Sequence, residues 1–110
     1  MNEFCSLYPY QSVKTVRLRL NLTGEFVVDP RLNVKVLLLI RDPRGTTNSR
    51  RGTSWCKNSP DCEDPKILCS DLVDDYRAYV RLKEKYPSNY EVLKYEDLST
   101  DYWNITLKLY

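Results

Sequence analysis

The segment VKVLLLI, residues 34–40, constrains the fold of this chain more than any other stretch. It is a short run of branched apolar residues with a single charge, and such runs suit a strand of a parallel sheet that is covered on both faces. An aspartate and a proline follow almost at once, which is the signal for an N-cap and a first helical turn. We therefore predict a strand over 34–40 that leads into a helix from about Pro43 to Arg51.

Two further segments carry equally clear patterns. Asp64-Pro65 repeats the N-cap signal, and the residues after it show an apolar period of three and four, which predicts an amphipathic helix ending before Pro87. The apolar positions of that helix are Leu68, Leu72, Tyr76, Tyr79 and Leu82. YEVLKY, residues 90–95, is a strand candidate, and Ser99 or Thr100 is expected to cap a last helix that is still running at Tyr110.

The remaining segments complete the predicted architecture. Residues 13–20 alternate apolar with basic side chains, which is typical of a strand with one solvated face, and residues 53–65 are predicted to form a loop. The order strand, strand, helix, helix, strand, helix indicates an α/β domain in layers with a mainly parallel sheet. A chain of 110 residues is within the usual size of one domain or part of one.

The positive charge of the chain is concentrated in one place. The net charge of +2 is too small to indicate a nucleic-acid partner. Four arginines nevertheless fall within eleven residues, and acidic residues follow them, so a local anion site is more plausible than a wide basic face. These are Arg41, Arg44, Arg50 and Arg51. No apolar run approaches the roughly 18 residues that span a bilayer, and the first residues do not form a signal peptide.

The cysteines and the absence of histidine limit the possible chemistry. Four cysteines and two glycosylation sequons favour an oxidising compartment, but the three possible pairings cannot be chosen from sequence. The cysteines are Cys5, Cys56, Cys62 and Cys69. With no histidine, Ser-His-Asp and Cys-His catalysis and the usual zinc sites are excluded, so we expect no metal. Only three glycines are present, which excludes the common phosphate loops.

Arg41 is the leading candidate for an anion contact. It lies at the carboxyl end of the predicted strand, where open α/β sheets bind ligands and where the next helix presents backbone N–H groups. Ser49 lies eight residues further on, so its hydroxyl reaches the same phosphate only if that phosphate lies along the side of the helix. In the alternative, Arg41 pairs with Asp42 or another carboxylate. As a separate alternative, Arg44, Arg50 and Arg51 form a solvated helix face, an interpretation that we favour for Arg51 in particular.

Several segments in a fixed order resemble the Golgi carbohydrate sulfotransferases. They are VLLLIRDPRGTTNSR, the Trp55-Cys56 pair, CEDPKILCSDLVDDY and VLKYEDLS, and the likeness extends over nearly the whole chain. The branch most resembled is the one that sulfates the 6-hydroxyl of N-acetylglucosamine or galactose. The resemblance implies a three-layer fold like that of the P-loop NTPases, of which residues 1–110 are a partial domain.

The same resemblance assigns roles to individual residues. Arg41 and Ser49 match the pair that holds the 3′-phosphate of PAPS (3′-phosphoadenosine 5′-phosphosulfate), the sulfate donor. Asp42, Pro43 and Arg44 belong to the same motif and are expected to shape the turn. The YEDL residues match a second landmark and are expected to support the cofactor site; they are Tyr95, Glu96 and Asp97. No catalytic residue is assigned.

The resemblance also shows what the chain is expected to lack. No counterpart of the family's 5′-phosphosulfate loop precedes residue 13, so we expect an internal fragment that carries only the 3′-phosphate-binding half. The full-length protein is expected to be a type II membrane enzyme of the Golgi lumen that transfers a sulfuryl group from PAPS to a glycan or proteoglycan. The alternative function is a non-enzymatic module that binds polyanions through the cluster Arg41–Arg51.

Overall fold

A computed structural model of the chain describes residues 7–109, which contain helices and two strands. In chain order the elements are a 3₁₀ helix (Leu20–Thr23), α1 (Gly24–Val28), β1 (Val36–Ile40), α2 (Pro43–Arg51), a second 3₁₀ helix (Ser54–Cys56), α3 (Pro60–Glu63), α4 (Pro65–Lys85), β2 (Tyr90–Lys94), α5 (Tyr95–Thr100) and α6 (Tyr102–Leu109). None of the helices in this part of the chain is both long and apolar enough to cross a membrane.

The two strands pair in parallel, as the sequence predicts for an α/β domain. The register runs from Val36 opposite Tyr90 to Ile40 opposite Lys94. Both strands therefore end at the same edge of the sheet, one residue before Arg41 in β1 and one residue before Tyr95 in β2. The mixed α/β class with a parallel sheet is thereby confirmed.

Helices α2 and α4 begin where the Asp-Pro signals predict. The Asp42 carboxylate accepts the backbone N–H of Arg44 at 2.8 Å, and the Asp64 carboxylate accepts that of Lys66 at 2.8 Å. Each bond satisfies one of the helix N–H groups that lack an intrahelical partner. Helix α4 ends at Lys85, before Pro87, as the sequence also predicts.

The core lies between α4 and one face of the sheet. Leu20, Ala78 and Tyr90 are buried at its centre, and Leu38 of β1 is partly buried against them. The Tyr90 hydroxyl is 2.9 Å from the hydroxyl of buried Thr23, which gives both polar groups a partner inside the core. The side chains on the other face of β1 are exposed to solvent: Leu37 is 46% and Leu39 is 49% exposed.

The strand predicted over residues 13–20 is wrong. Residues 10–19 contain no helix or strand, and Leu20 starts the first 3₁₀ helix. The reason lies in the partners of this segment. The backbone N–H of Leu20 donates to the Asp75 carboxylate at 2.9 Å, and Arg19 forms ion pairs with Asp71 and Asp75 of α4. This part of the chain is thus bound to carboxylates of α4 and does not pair with a neighbouring strand.

Two other predictions need correction at their boundaries. The predicted loop 53–65 contains the second 3₁₀ helix and the single turn α3, which begins at Pro60. The last helix is not capped by Ser99 or Thr100, because both hydroxyls donate to Glu96 O within α5. The Asp101 carboxylate instead accepts from Asn104 N at 3.4 Å at the start of α6. The predicted continuation to Tyr110 lies outside the described residues.

Candidate functional site

The strand ends bring Arg41 and Tyr95 together. The register places them side by side, one residue past Ile40 and Lys94. The guanidinium carbon of Arg41 lies 4.4 Å from the centroid of the Tyr95 ring, within the range of a cation–π contact. Arg41 is nevertheless an exposed residue. Tyr95 therefore fixes the orientation of a cation that is accessible to a ligand.

A second contact joins the same two segments. The Asp42 backbone N–H donates to Glu96 Oε1 at 2.9 Å. This bond and one to its own backbone N–H lower the pKa of the Glu96 carboxyl below its ordinary value. Two motifs that are 54 residues apart in the chain thus meet at one edge of the sheet, held by a cation–π contact and a hydrogen bond.

The ion pair at this turn is made by Arg44. Its Nη2 lies 2.6 Å from Asp42 Oδ2, and its hydrogen bonds lower the pKa of Asp42 to about 2. The alternative in which Arg41 pairs with Asp42 is therefore not the arrangement observed. Since the Asp42 carboxylate occupies the Arg44 N–H at the start of α2, the helix N-terminus contributes less to an anion site than the sequence suggests. The contacts expected to carry the site are side chains.

Gly45 and Ser49 place the helix beside the arginine. A Cβ built on Gly45 would lie 3.5 Å from Arg41 Nε, so the guanidinium lies along the first turn of α2. Ser49 is four residues further on and exposed, and residues spaced by four share a helix face. Helical side chains also lean toward the N-terminus, so the Ser49 side chain leans toward the turn that contains Gly45. A phosphate lying along this side of α2 would meet both groups.

A second cationic cluster was not predicted. The guanidinium carbons of Arg17 and Arg50 lie 5.6 Å and 6.0 Å from the Trp55 ring centroid. Arg17 also donates to Ser59 Oγ at 3.1 Å and to Cys62 Sγ at 3.3 Å. We refer to Arg17, Arg50 and Trp55 as the Trp55 cluster. No sequence signal links Arg17 to this loop, because the contact joins segments about 40 residues apart that do not pair in a regular element.

The disulfide fixes the loop that carries this cluster. Cys56 and Cys62 are bonded, with Cα atoms 5.4 Å apart, and both are buried. Cys69 is a free, exposed thiol, and Cys5 lies outside the described residues. The pairing left open by the sequence is thus partly resolved.

A separate cleft lies away from the strand ends. It is about 630 Å³ in volume and lies against α4, far along the chain from the strand ends. Its lining includes Arg19, Asp71 and Asp75, which neutralise one another in ion pairs. A smaller cavity of about 350 Å³ lies next to the end of β1 and is lined by Ile40 and by residues of α4.

Comparison with known proteins identifies relatives of one kind. Carbohydrate sulfotransferase 1 of Danio rerio and that of Homo sapiens are each 28% identical to this chain over 98% of its length. Carbohydrate sulfotransferase 4 of Mus musculus is 30% identical over 86% of it. The chain is therefore related to a class of transferases, and the predicted resemblance to the carbohydrate sulfotransferases is confirmed.

The match covers a limited part of those relatives. The chain spans about three tenths of their length, 29% for the Danio rerio protein and 30% for the human one. No family model matches the chain. No solved structure matches it either.

Proposed function

We propose that this chain is the part of a carbohydrate sulfotransferase that binds the 3′-phosphate of PAPS. Arg41 and Ser49 are the contacts. The observation that carries the proposal is the exposed Arg41, whose guanidinium is stacked on Tyr95 and lies next to Gly45 of α2. The reaction of the full-length enzyme would be transfer of a sulfuryl group to a hydroxyl of a carbohydrate, the 6-hydroxyl of N-acetylglucosamine or galactose.

The chemistry of these two groups suits a phosphate dianion. Arginine presents a planar fork of N–H donors that matches two phosphate oxygens, and charge-assisted bonds of this kind are about twice as strong as neutral ones. The Tyr95 ring limits the orientations of the fork before the ligand arrives, which lowers the entropic cost of binding. The Ser49 hydroxyl donates to a third oxygen. No residue of this chain is assigned to proton transfer.

The open face of the sheet supports the wider architecture of the proposal. Parallel strands are nearly always covered on both faces, whereas Leu37 and Leu39 are about half exposed. A second helical layer over these leucines would give the three-layer, P-loop-NTPase-like fold. Residues 1–110 would then be the 3′-phosphate-binding half of a domain, within a Golgi-lumen enzyme anchored by a segment of the full-length protein.

The alternative function, a polyanion-binding module, finds less support in the arginine contacts. Arg44 is held by Asp42, and Arg50 packs against Trp55. Arg41, Arg44 and Arg50 therefore each face a different neighbour, Tyr95, Asp42 and Trp55 respectively. Polyanion binding would need such a surface and would weaken steeply with salt.

The test is a calorimetric titration with adenosine 3′,5′-bisphosphate. We expect the parent chain to bind and Arg41→Ala to weaken binding about a hundredfold, since charged hydrogen bonds are worth about 1.5–3 kcal/mol each. Ser49→Ala should weaken it about fivefold. Arg51→Ala is the matched control, an exposed arginine on the same helix, and should bind like the parent.

Two further measurements keep this test decisive. Adenosine 5′-monophosphate, which lacks the 3′-phosphate, should bind the parent as weakly as the bisphosphate binds Arg41→Ala. Circular dichroism melts should show that all variants fold as the parent does. Equal affinity of the parent and Arg41→Ala for the bisphosphate would remove Arg41 from the site, and equal losses in Arg41→Ala and Arg51→Ala would favour the polyanion alternative.

A further inference from the structure

Two asparagines of the chain lie in acceptor triplets for N-linked glycosylation, which require a hydroxyl residue two positions after the asparagine and no proline between them. The triplets are Asn21-Leu22-Thr23 and Asn104-Ile105-Thr106. Neither belongs to the strand-end site or to the Trp55 cluster. The structure places them in different surroundings, and these surroundings determine which contacts a glycan would displace at each position.

Asn21 lies at the surface, in the first 3₁₀ helix. The residue is exposed, and within the part of the chain that the structure describes its side chain makes no hydrogen bond or ion pair. It lines the cleft of about 630 Å³ against α4, together with Arg77 and Arg81. A sugar attached to its amide nitrogen would therefore break no contact of the folded chain and would have open polar space at its base.

Asn104 is already used by the fold. Its side-chain nitrogen donates to both carboxylate oxygens of Asp101 at 3.0 Å, at the start of α6. A glycan replaces one of the two hydrogens on that nitrogen, so a single hydrogen would remain for Asp101 and the start of α6 would be weakened. Of the two positions, Asn21 is therefore the one at which a glycan costs the fold less.

The disulfide supports a route through the compartment in which such glycans are attached. Cys56 and Cys62 are bonded, and disulfides form and persist in oxidising compartments such as the lumen of the endoplasmic reticulum. This observation does not involve the residues around Arg41. The inference about Asn21 is therefore independent of the proposed sulfotransferase function.

The hydroxyl that the acceptor triplet requires is buried in the folded chain. Thr23 is 8% exposed, and its hydroxyl donates to the Leu20 carbonyl oxygen at 2.7 Å. The same hydroxyl lies 2.9 Å from that of Tyr90, which belongs to β2 and is 67 residues further along the chain. A glycosylating enzyme can therefore recognise this triplet only before Tyr90 packs against Thr23.

We propose that Asn21 is an N-glycosylation site that is modified before the core closes over Thr23. The donor is an oligosaccharide carried on a lipid diphosphate, and a separate oligosaccharyltransferase catalyses the reaction. The amide nitrogen of Asn21 attacks the anomeric carbon of the donor. A C–N bond forms while the bond from that carbon to the diphosphate oxygen breaks, the lipid diphosphate leaves, and the nitrogen loses one proton to a base of the transferase.

The site is tested by expressing the full chain with an added secretory signal peptide in mammalian cells. Peptide N-glycosidase F in heavy-oxygen water converts each glycosylated asparagine to a labelled aspartate, which mass spectrometry assigns to its position. We expect the label at Asn21. Asn21→Gln should lose it, and Thr23→Ser, which keeps a hydroxyl, should retain it. An unlabelled residue 21 in the parent, or label at Asn104 alone, would overturn the proposal.

The timing is tested with purified oligosaccharyltransferase and the lipid-linked donor. The unglycosylated chain is offered either folded, with its disulfide formed, or with its cysteines reduced and alkylated, so that the buried pair Cys56–Cys62 cannot pack. Circular dichroism verifies the two states. The alkylated chain should be modified at Asn21 at least about tenfold faster, since the rate for the folded chain follows the small population that opens. Equal rates would show that the core does not protect the triplet, and the proposed order of events would be wrong.

Discussion

The strand-end site and the Trp55 cluster both hold arginines against aromatic rings, but they are assembled differently. Arg41 meets Tyr95 because two parallel strands end in register, and Asp42 N–H adds a bond to Glu96 across the same edge. Arg17 meets Trp55 in irregular chain that a disulfide closes. The first site depends on the sheet, and the second depends on one covalent bond. The two should therefore respond to different perturbations.

The largest expected effect comes from removing the disulfide. Cys56→Ser with Cys62→Ser should lower the free energy of unfolding by about 2 kcal/mol, because the open loop gains entropy in the unfolded chain. It should leave adenosine 3′,5′-bisphosphate affinity within about twofold, because the strand-end site does not depend on this loop. Denaturant unfolding and the bisphosphate titration measure this, and Cys69→Ser, which removes a free exposed thiol, is the control. A loss of bisphosphate affinity as large as that of Arg41→Ala would show that the strand-end site also depends on the disulfide.

A smaller effect is expected from the ring at the strand ends. Tyr95→Ala should weaken bisphosphate binding about fivefold, since an exposed cation–π contact is worth about 0.5–1 kcal/mol. Tyr95→Phe keeps the ring and should bind within about twofold of the parent. If Phe and Ala weaken the nucleotide equally, the hydroxyl of Tyr95 and not its ring matters, and the stacking argument is wrong.

The smallest expected effect is on the stability of the fold at acidic pH. Asp42 has its pKa lowered from the ordinary 3.8 to about 2, and that of Glu96 is also lowered. A carboxyl with a depressed folded-state pKa stabilises the fold above its unfolded-state pKa and loses that contribution as pH falls through the folded value. Stability should therefore decline between about pH 4 and pH 2, with a small amplitude because both groups are exposed.

The variant Asp42→Asn isolates this contribution. Asparagine still caps a helix, but it does not titrate, so the decline in melting temperature below pH 4 should be shallower than in the parent. Glu96→Gln should show the same change to a lesser degree. Identical pH profiles for the parent and Asp42→Asn would exclude the Asp42–Arg44 pair as a source of acid sensitivity.

The sequence was a good guide where local chemistry decides the structure. The Asp-Pro signals located the starts of α2 and α4, and the apolar runs located both strands within two residues of their observed limits. The motifs around Arg41 and Tyr95 also indicated the right family of relatives. These features depend on caps, on φ preferences and on side-chain periodicity, all of which are properties of neighbouring residues.

The sequence failed where partners come from distant segments. The alternation over residues 13–20 has the period of a strand, yet Val13 and Val16 are exposed and Arg19 is bound to carboxylates of α4. The Arg17–Trp55 contact and the Cys56–Cys62 bond are likewise long-range or ambiguous in sequence. Asp42 pairs with Arg44, whereas Arg41 stacks on Tyr95, which lies 54 residues away in the chain.

The parallel register has a consequence for how the chain tolerates insertions and deletions. Because side chains alternate between the two faces of a strand, losing one residue within Val36–Ile40 would reverse the direction of every side chain after it, Arg41 included. The same loss in the segment before the strand would leave the alternation intact. Changes in length should therefore accumulate in the connecting segments of homologous chains and be excluded from the five residues that precede Arg41.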